Sequence, residues 1–259
     1  MFGSERRVTG ISWLGLLGVS ILPTVAHADY VGDSQLKLDM KNFFLDRNFT
    51  KNNAPVPDAG SWSQGFDLQF TSGYTDGPVQ FGLDFNAQYS LTLAGHNDDG
   101  SLPIADDGDP ANDYSRAGAT AKMRYAKSEL KIGDMRPNLP VAWDDTSRQL
   151  DTIYQGAVIE SRDIDNLILT GGRFWSSVTR ESSNHEQFYK FRTSDALDSS
   201  GLNFVGGTYN VTPKLDVTYF YGQLEDIYQQ HYAGLKYTQP LDAGYKLVTD
   251  LRYFNSGSD

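Results

Sequence analysis

Cations set at even intervals along an extended segment project from one side of it, and this chain holds several such sets. Arg116, Lys122 and Arg124 share one parity, so on a strand they occupy a single face. Lys131 has the parity of Glu129 in the following segment, and Arg173, Lys246 and Arg252 fall opposite apolar neighbours. The chemistry that such a row supports is the handling of anions. A guanidinium presents a rigid fork that can receive a carboxylate and release it to the next site. The same cations have a structural reading, in which Asp84, Glu129 or Glu160 pair with them and hold a wall together.

Bond-breaking chemistry has weaker support. Ser182-Ser183-Asn184-His185, with Asp195 downstream, holds the residue types of a hydrolase triad, but adjacent residues on a long loop rarely supply its geometry. No G-x-S-x-G elbow occurs, and His96, His185 and His231 lie far apart without zinc-ligand spacing. Cysteine is absent, which removes thiolate metal sites, thiol nucleophiles and disulfides. Gly171-Gly172 and Gly206-Gly207 fall inside strand patterns, where they permit bending or close side-chain approach. The acidic runs Asp98-Asp99 and Asp106-Asp107 with Asp109 read as solvated loop faces and miss the EF-hand spacing. The sequence therefore assigns no catalytic residue, no metal site and no cofactor. A net charge of −11 also argues against nucleic acid as a partner.

The elements that must position the basic residues are strands. Val79, Phe81, Leu83, Phe85, Ala87, Tyr89, Leu91 and Leu93 occupy every second position, with Gln80, Gly82, Asp84, Asn86, Gln88, Ser90 and Thr92 between them. Period two marks a strand with one apolar and one polar face. Its length exceeds the usual 5–6 residues of a soluble domain and suits the roughly 9–11 that a tilted strand needs to cross a bilayer. The pattern recurs over Leu36–Lys41, Phe66–Phe70, Arg116–Tyr125, Leu215–Tyr221 and Tyr245–Tyr253, for about eleven strands in all. Short turns near 74–78, 126–128, 162–166, 210–213 and 240–244 alternate with long polar stretches near 48–60, 95–114, 135–151 and 178–200. Outer-membrane barrels sort their connections in this way, short on the periplasmic side and long outside. Tyr74, Tyr89, Tyr125, Tyr219, Tyr221, Tyr232, Tyr237, Tyr245, Tyr253 and Phe254 lie near strand ends and are expected to form aromatic girdles at the lipid interfaces.

The predicted fold is thus all-β, an antiparallel up-and-down transmembrane β-barrel in outer-membrane lipid. Residues 1–28 are expected to be a secretory signal peptide, with Arg6-Arg7, an apolar run over Ile11–Val25, and Ala26-His27-Ala28 as the cleavage site. Residues 29–259 form the barrel part. Eleven strands ending in Asn255-Ser256-Gly257-Ser258-Asp259 would leave an open edge that lipid does not tolerate, so the chain is expected to be an incomplete part of the barrel. An outer-membrane hydrolase and a soluble secreted β module remain as alternatives.

Several stretches, in this order, resemble the OprD family of substrate-specific outer-membrane porins. They are Asp113-Tyr114-Ser115-Arg116-Ala117-Gly118-Ala119-Thr120-Ala121-Lys122, then Ser128-Glu129-Leu130-Lys131-Ile132-Gly133-Asp134-Met135 with Pro137 and Pro140-Val141. Arg180-Glu181-Ser182-Ser183-Asn184-His185 follows, and then Gly206-Gly207-Thr208-Tyr209 with Leu224-Glu225-Asp226-Ile227-Tyr228. The resemblance implies an eighteen-stranded, monomeric barrel narrowed by inward-folded loops. It also implies passage of small anionic or zwitterionic, mostly carboxylate-bearing, solutes past a basic ladder. By the same resemblance Asp134 to Asp151 is the first constriction loop, with Asp134, Arg136 and Arg148 as its charged residues, and the last strands and a second constricting loop would be missing.

Overall fold

The structure is a computed structural model that describes residues 29–48, 59–94, 102–103, 111–180, 182–189 and 198–259. The expected signal peptide, the acidic runs from Asp98 to Asp109, His96 and Asp195 lie outside the described residues. One helical turn, α1 (Asp29–Gly32), leads into β1 (Gln35–Arg47), β2 (Ala59–Thr71), β3 (Val79–Ala94), β4 (Asp113–Tyr125) and β5 (Ser128–Met135). Two short strands, β6 (Asn138–Leu139) and β7 (Ala142–Trp143), precede β8 (Ile153–Ser161) and β9 (Leu167–Val178). Another such pair, β10 (Phe188–Tyr189) and β11 (Asp198–Ser199), precedes β12 (Leu202–Thr212), β13 (Leu215–Leu224), β14 (Tyr228–Pro240) and β15 (Lys246–Ser258).

Eleven of these strands build one sheet in the order β1-β2-β3-β4-β5-β8-β9-β12-β13-β14-β15, with β1 and β15 at its edges. Every pairing is antiparallel and joins neighbours in the meander. The two-residue pairs β6–β7 and β10–β11 are hairpins set within the long connections. Tight turns join the other ends, and Ala126, Asn166 and Asp226 take left-handed backbone conformations at three turns. Asn and Asp tolerate that region well. The sorting of connections has one exception: Glu225–Ile227, between β13 and β14, is a tight turn on the end that otherwise carries the long loops.

The two faces of the sheet differ as the alternation predicts along β3. Phe81, Leu83, Phe85, Leu91 and Leu93 are exposed on one face, while Gln88 and Ser90 are buried on the other. The second face carries a folded loop and is termed the inner face here.

The inner face and its folded loop

The connection from β5 to β8, residues 136–152, crosses the inner face and is seated on it at two places. At one, Val141 and Ala142 join Phe174, Leu202, Phe204, Phe220 and Tyr232 in the largest buried apolar cluster. Phe174 is fully buried, its ring 5.1 Å from those of both Tyr154 and Phe204. Gly222 makes this contact possible, because a Cβ there would stand 2.9 Å from the Cβ of Val141. Gly206 likewise leaves room for the Phe220 ring. The glycine pair read from the sequence therefore serves close packing.

The second seat is polar and lies on β1 and β2. Arg136 donates both guanidinium nitrogens to Asp67, at 2.6 and 2.8 Å, and lies 3.5 Å from Asp151. Lys41 donates to the carbonyls of Thr146, at 3.1 Å, and Arg148. Gln149 accepts from the Ser63 hydroxyl at 3.1 Å and donates to the Lys41 carbonyl at 2.8 Å. Its side chain occupies the space that a Cβ on Gly65 would need. Burial holds the Asp151 carboxyl above its ordinary range, against the pull of Arg136 and Lys41. Lys41, Asp67 and Gln149 were not singled out in the sequence. The usable signal was parity: Lys37, Asp39 and Lys41 alternate with apolar residues, as Asp67 does on the facing strand.

The predicted basic residues separate into three groups. Lys122, Arg124 and Lys131 converge near the short-turn end of β4 and β5, on the inner face. Lys122 is buried and pairs with Asp84 at 2.6 Å, while also donating to the Ser72 carbonyl at 2.7 Å. Arg124 and Lys131 share one partner, Glu129, at 3.0 and 2.7 Å, and both keep 43% of the side chain exposed. Tyr74 folds in from the β2–β3 turn beneath these cations, with Arg124 3.9 Å and Lys122 4.7 Å from its ring centre. Its hydroxyl donates to Glu129, and burial together with that bond raises its pKa above the ordinary range.

Arg116 and the loop residues form the second group. Arg116 is buried and faces Gln88, Asp151 and the start of the 179–201 connection. Asp134 is buried 2.7 Å from Nε2 of His185, and its carbonyl accepts from the Thr120 hydroxyl. Ser182 gives its carbonyl to Arg116. The serine and histidine of the suspected triad thus hold a loop against the wall.

Lys246, Arg252 and Arg173 form the third. Lys246 and Arg252 lie on edge strand β15 with inner-face parity, since Phe254 of the same parity packs on buried Tyr232 at 4.9 Å. Arg252 is 2.6 Å from Asp250. Arg173 departs from the expectation. It stands on the face opposite Phe174, pairs across the sheet with Asn203, and binds Glu225, Ser200 and Asn203 at the strand ends. Its apolar neighbour Phe174 does not face lipid but packs inward beneath the loop. Tyr232 departs from the expected girdles for the same reason and Tyr74 because it turns in beneath Lys122 and Arg124, whereas Tyr125, Tyr219, Tyr245 and Tyr253 are exposed on the outer face.

A hollow of about 310 Å³ lies beside the loop, bordered by Asp84, Lys131, Asp134, Arg136, Glu160 and Phe174. A strand meander with an apolar outer face, a charged inner face and a loop laid across the latter is the arrangement of an outer-membrane β-barrel wall. Residues 28–259 match the profile of the family described as outer membrane porin, OprD family. The porin-like protein GalP of Pseudomonas putida is 37% identical over 238 residues, covering 90% of this chain and 57% of that protein. Porin D of Pseudomonas aeruginosa is 32% identical, covering 89% and 52%. Among solved structures, a BenF-like porin from Pseudomonas fluorescens Pf-5 superposes with a TM-score of 0.81 at 33% identity, covering 89% of this chain and 60% of that one. Pseudomonas aeruginosa OpdK, solved with vanillate, gives 0.78 at 33% identity, covering 89% and 59%.

The chain belongs to the OprD family of outer membrane porins. It spans about half the length of the curated relatives it matches. These relatives are porins and not enzymes, so the hydrolase reading falls.

Proposed function

We propose that this chain forms part of the wall of a channel for passive uptake of small carboxylate-bearing solutes, with Arg124 and Lys131 as the reachable cations of its basic lining. The observation that carries this reading is that two cations of one cluster share a single carboxylate and stay partly exposed. Lys122 is buried against Asp84, whereas Arg124 and Lys131 share Glu129 and each keep 43% of the side chain exposed, with Glu160 opposite Glu129 on the next strand. Reachable charges between low-dielectric walls focus the field along a pore. An anion held there weakly, with further cations along the wall, can enter and still leave. Lys246 and Arg252 extend the lining on β15, and Arg136 narrows it from the loop. The solute class agrees with the vanillate of OpdK, itself a carboxylate. The outer face, with Phe81 and Phe85 exposed, meets outer-membrane lipid around a monomeric barrel. No cofactor takes part.

The test is single-channel recording of the full-length protein in planar bilayers, titrated with vanillate and with its uncharged alcohol analogue. Discrete steps interrupted by vanillate but not by the alcohol are expected. Steps indifferent to carboxylates would overturn the solute class.

A further inference from the structure

Arg116 differs from the other cations of its strand in what surrounds it. It is 6% exposed, although it lies on a face that is charged and open elsewhere. Among the described residues no carboxylate pairs with it at salt-bridge distance; its hydrogen-bond acceptors are Gln88 and backbone carbonyls. Nε donates to Gln88 Oε1 at 2.5 Å. Nη1 reaches the carbonyls of Thr179 at 2.6 Å, Ser182 at 3.4 Å and Val178 at 3.5 Å. Nη2 donates to the carbonyl of Asp151. Those carbonyls belong to two different connections. Asp151 closes the 136–152 loop just before β8, and Val178, Thr179 and Ser182 open the connection after β9. One guanidinium therefore joins the roots of both connections to the β3–β4 wall.

We infer that Arg116 is a positioning residue that clamps the two loop roots together, and that it is not a site which solutes visit. The inference rests on the channel reading above. Its basis is that a planar fork with five donors can serve acceptors in several directions at once, whereas a lysine ammonium on a flexible stem cannot reproduce that array. Carbonyl dipoles offset the charge, and the burial that protects these bonds keeps solute carboxylates away.

The two roles predict opposite behaviour for the conservative variant. In bilayer recordings of the full-length protein, a clamp requires that Arg116→Lys and Arg116→Met behave alike. Both should show open-channel noise and sub-state frequency raised several-fold, with discrimination lost among carboxylates and small cations alike. Gln88→Ala, which frees Nε, should shift the same readout less. An Arg116→Lys channel as quiet and as selective as the wild type would overturn the clamp. So would an Arg116→Met channel that loses only anion preference, for either result makes Arg116 a charge in the lining. If Arg116→Met fails to insert, Arg116→Lys and Gln88→Ala decide. Absence of any steps from the wild type would count against the channel reading itself, a failure separate from that of the clamp.

Discussion

Two stretches of the same sheet treat their inner faces in opposite ways. Along β3 and β4 the wall is polar within and apolar without: Asp84, Gln88, Arg116 and Lys122 on one face, Phe81, Phe85 and Ala119 on the other. From β9 to β14 the inner face is aromatic, and the buried rings of Phe174, Phe204, Phe220 and Tyr232 lie where charges would otherwise stand. The difference is what covers each stretch. Val141 and Ala142 of the inward loop lie on the second, so water is excluded from it and apolar burial stabilises it. Elsewhere, the polar inner face pairs its charges, exposes them or, at Arg116, surrounds the charge with carbonyls. A barrel wall thus follows binary patterning only where its inside is wet.

The largest expected break in this contrast comes from removing the ring at the centre of the dry patch. Phe174→Ala should cost about 3–5 kcal/mol, the usual range for a buried aromatic truncated in a core. Phe85→Ala, on the outer face of the other stretch, should cost clearly less. Denaturant titration of both variants in detergent, read by heat-modifiable gel migration, checks the order; equal losses would mean that the loop seat contributes little.

In the polar stretch the matching lesion is Lys122→Met, which leaves Asp84 facing a dry partner. A loss of about 1–3 kcal/mol is expected, as for a buried polar group left unsatisfied. Adding Asp84→Leu should recover much of it, because replacing both members of a buried pair with apolar groups is often tolerated. A double variant worse than either single one would show that the pair does more than neutralise itself.

Gly222→Ala sharpens the comparison with one methyl. The added Cβ would press on Val141, and overpacking of this kind costs about 1 kcal/mol or somewhat more. Proteolysis of the 136–152 loop should accelerate in this variant and stay unchanged in a Gly32→Ala control, where the space is open.

The smallest effect concerns the outer rim. Hydrogen bonds from Arg173, then Ser200 and Asn203, hold the Glu225 carboxyl at about 2, below its ordinary 4.5. A depressed carboxylate stabilises the folded state above its unfolded pKa, and that contribution fades as the pH falls from about 4.5 toward 2. Glu225→Gln should flatten the acid limb of the stability curve over that window only. An acid limb unchanged by the substitution would show that the rim pairing is too solvated to matter.

This contrast also explains what the sequence made legible. Strand number, antiparallel order and the faces of β1, β3, β4, β13 and β15 follow from alternation, and the convergence of Lys122, Arg124 and Lys131 follows from parity. The face of Arg173 is not legible from alternation, because its neighbour Phe174 looks lipid-facing until the loop covers it. Tyr232 hides its inward orientation in the same way, while Tyr74 turns in to meet Lys122, Arg124 and Glu129. The partners Asp67, Lys41 and Gln149 lie far from the loop root in sequence, or within the loop itself, and no periodicity links them. Arg116 carries the parity of a ladder rung, and only its acceptors set it apart.

On the proposed reading, the partly exposed Arg124 and Lys131 of the wet stretch give the channel its preference for anions. Reversal potentials of the full-length protein in a salt gradient, with and without Arg124→Gln and Lys131→Gln together, test it most directly. The double variant should keep its step size and quiet open level but lose most of its anion preference and its block by vanillate. A double variant with unaltered reversal potential and block would contradict it.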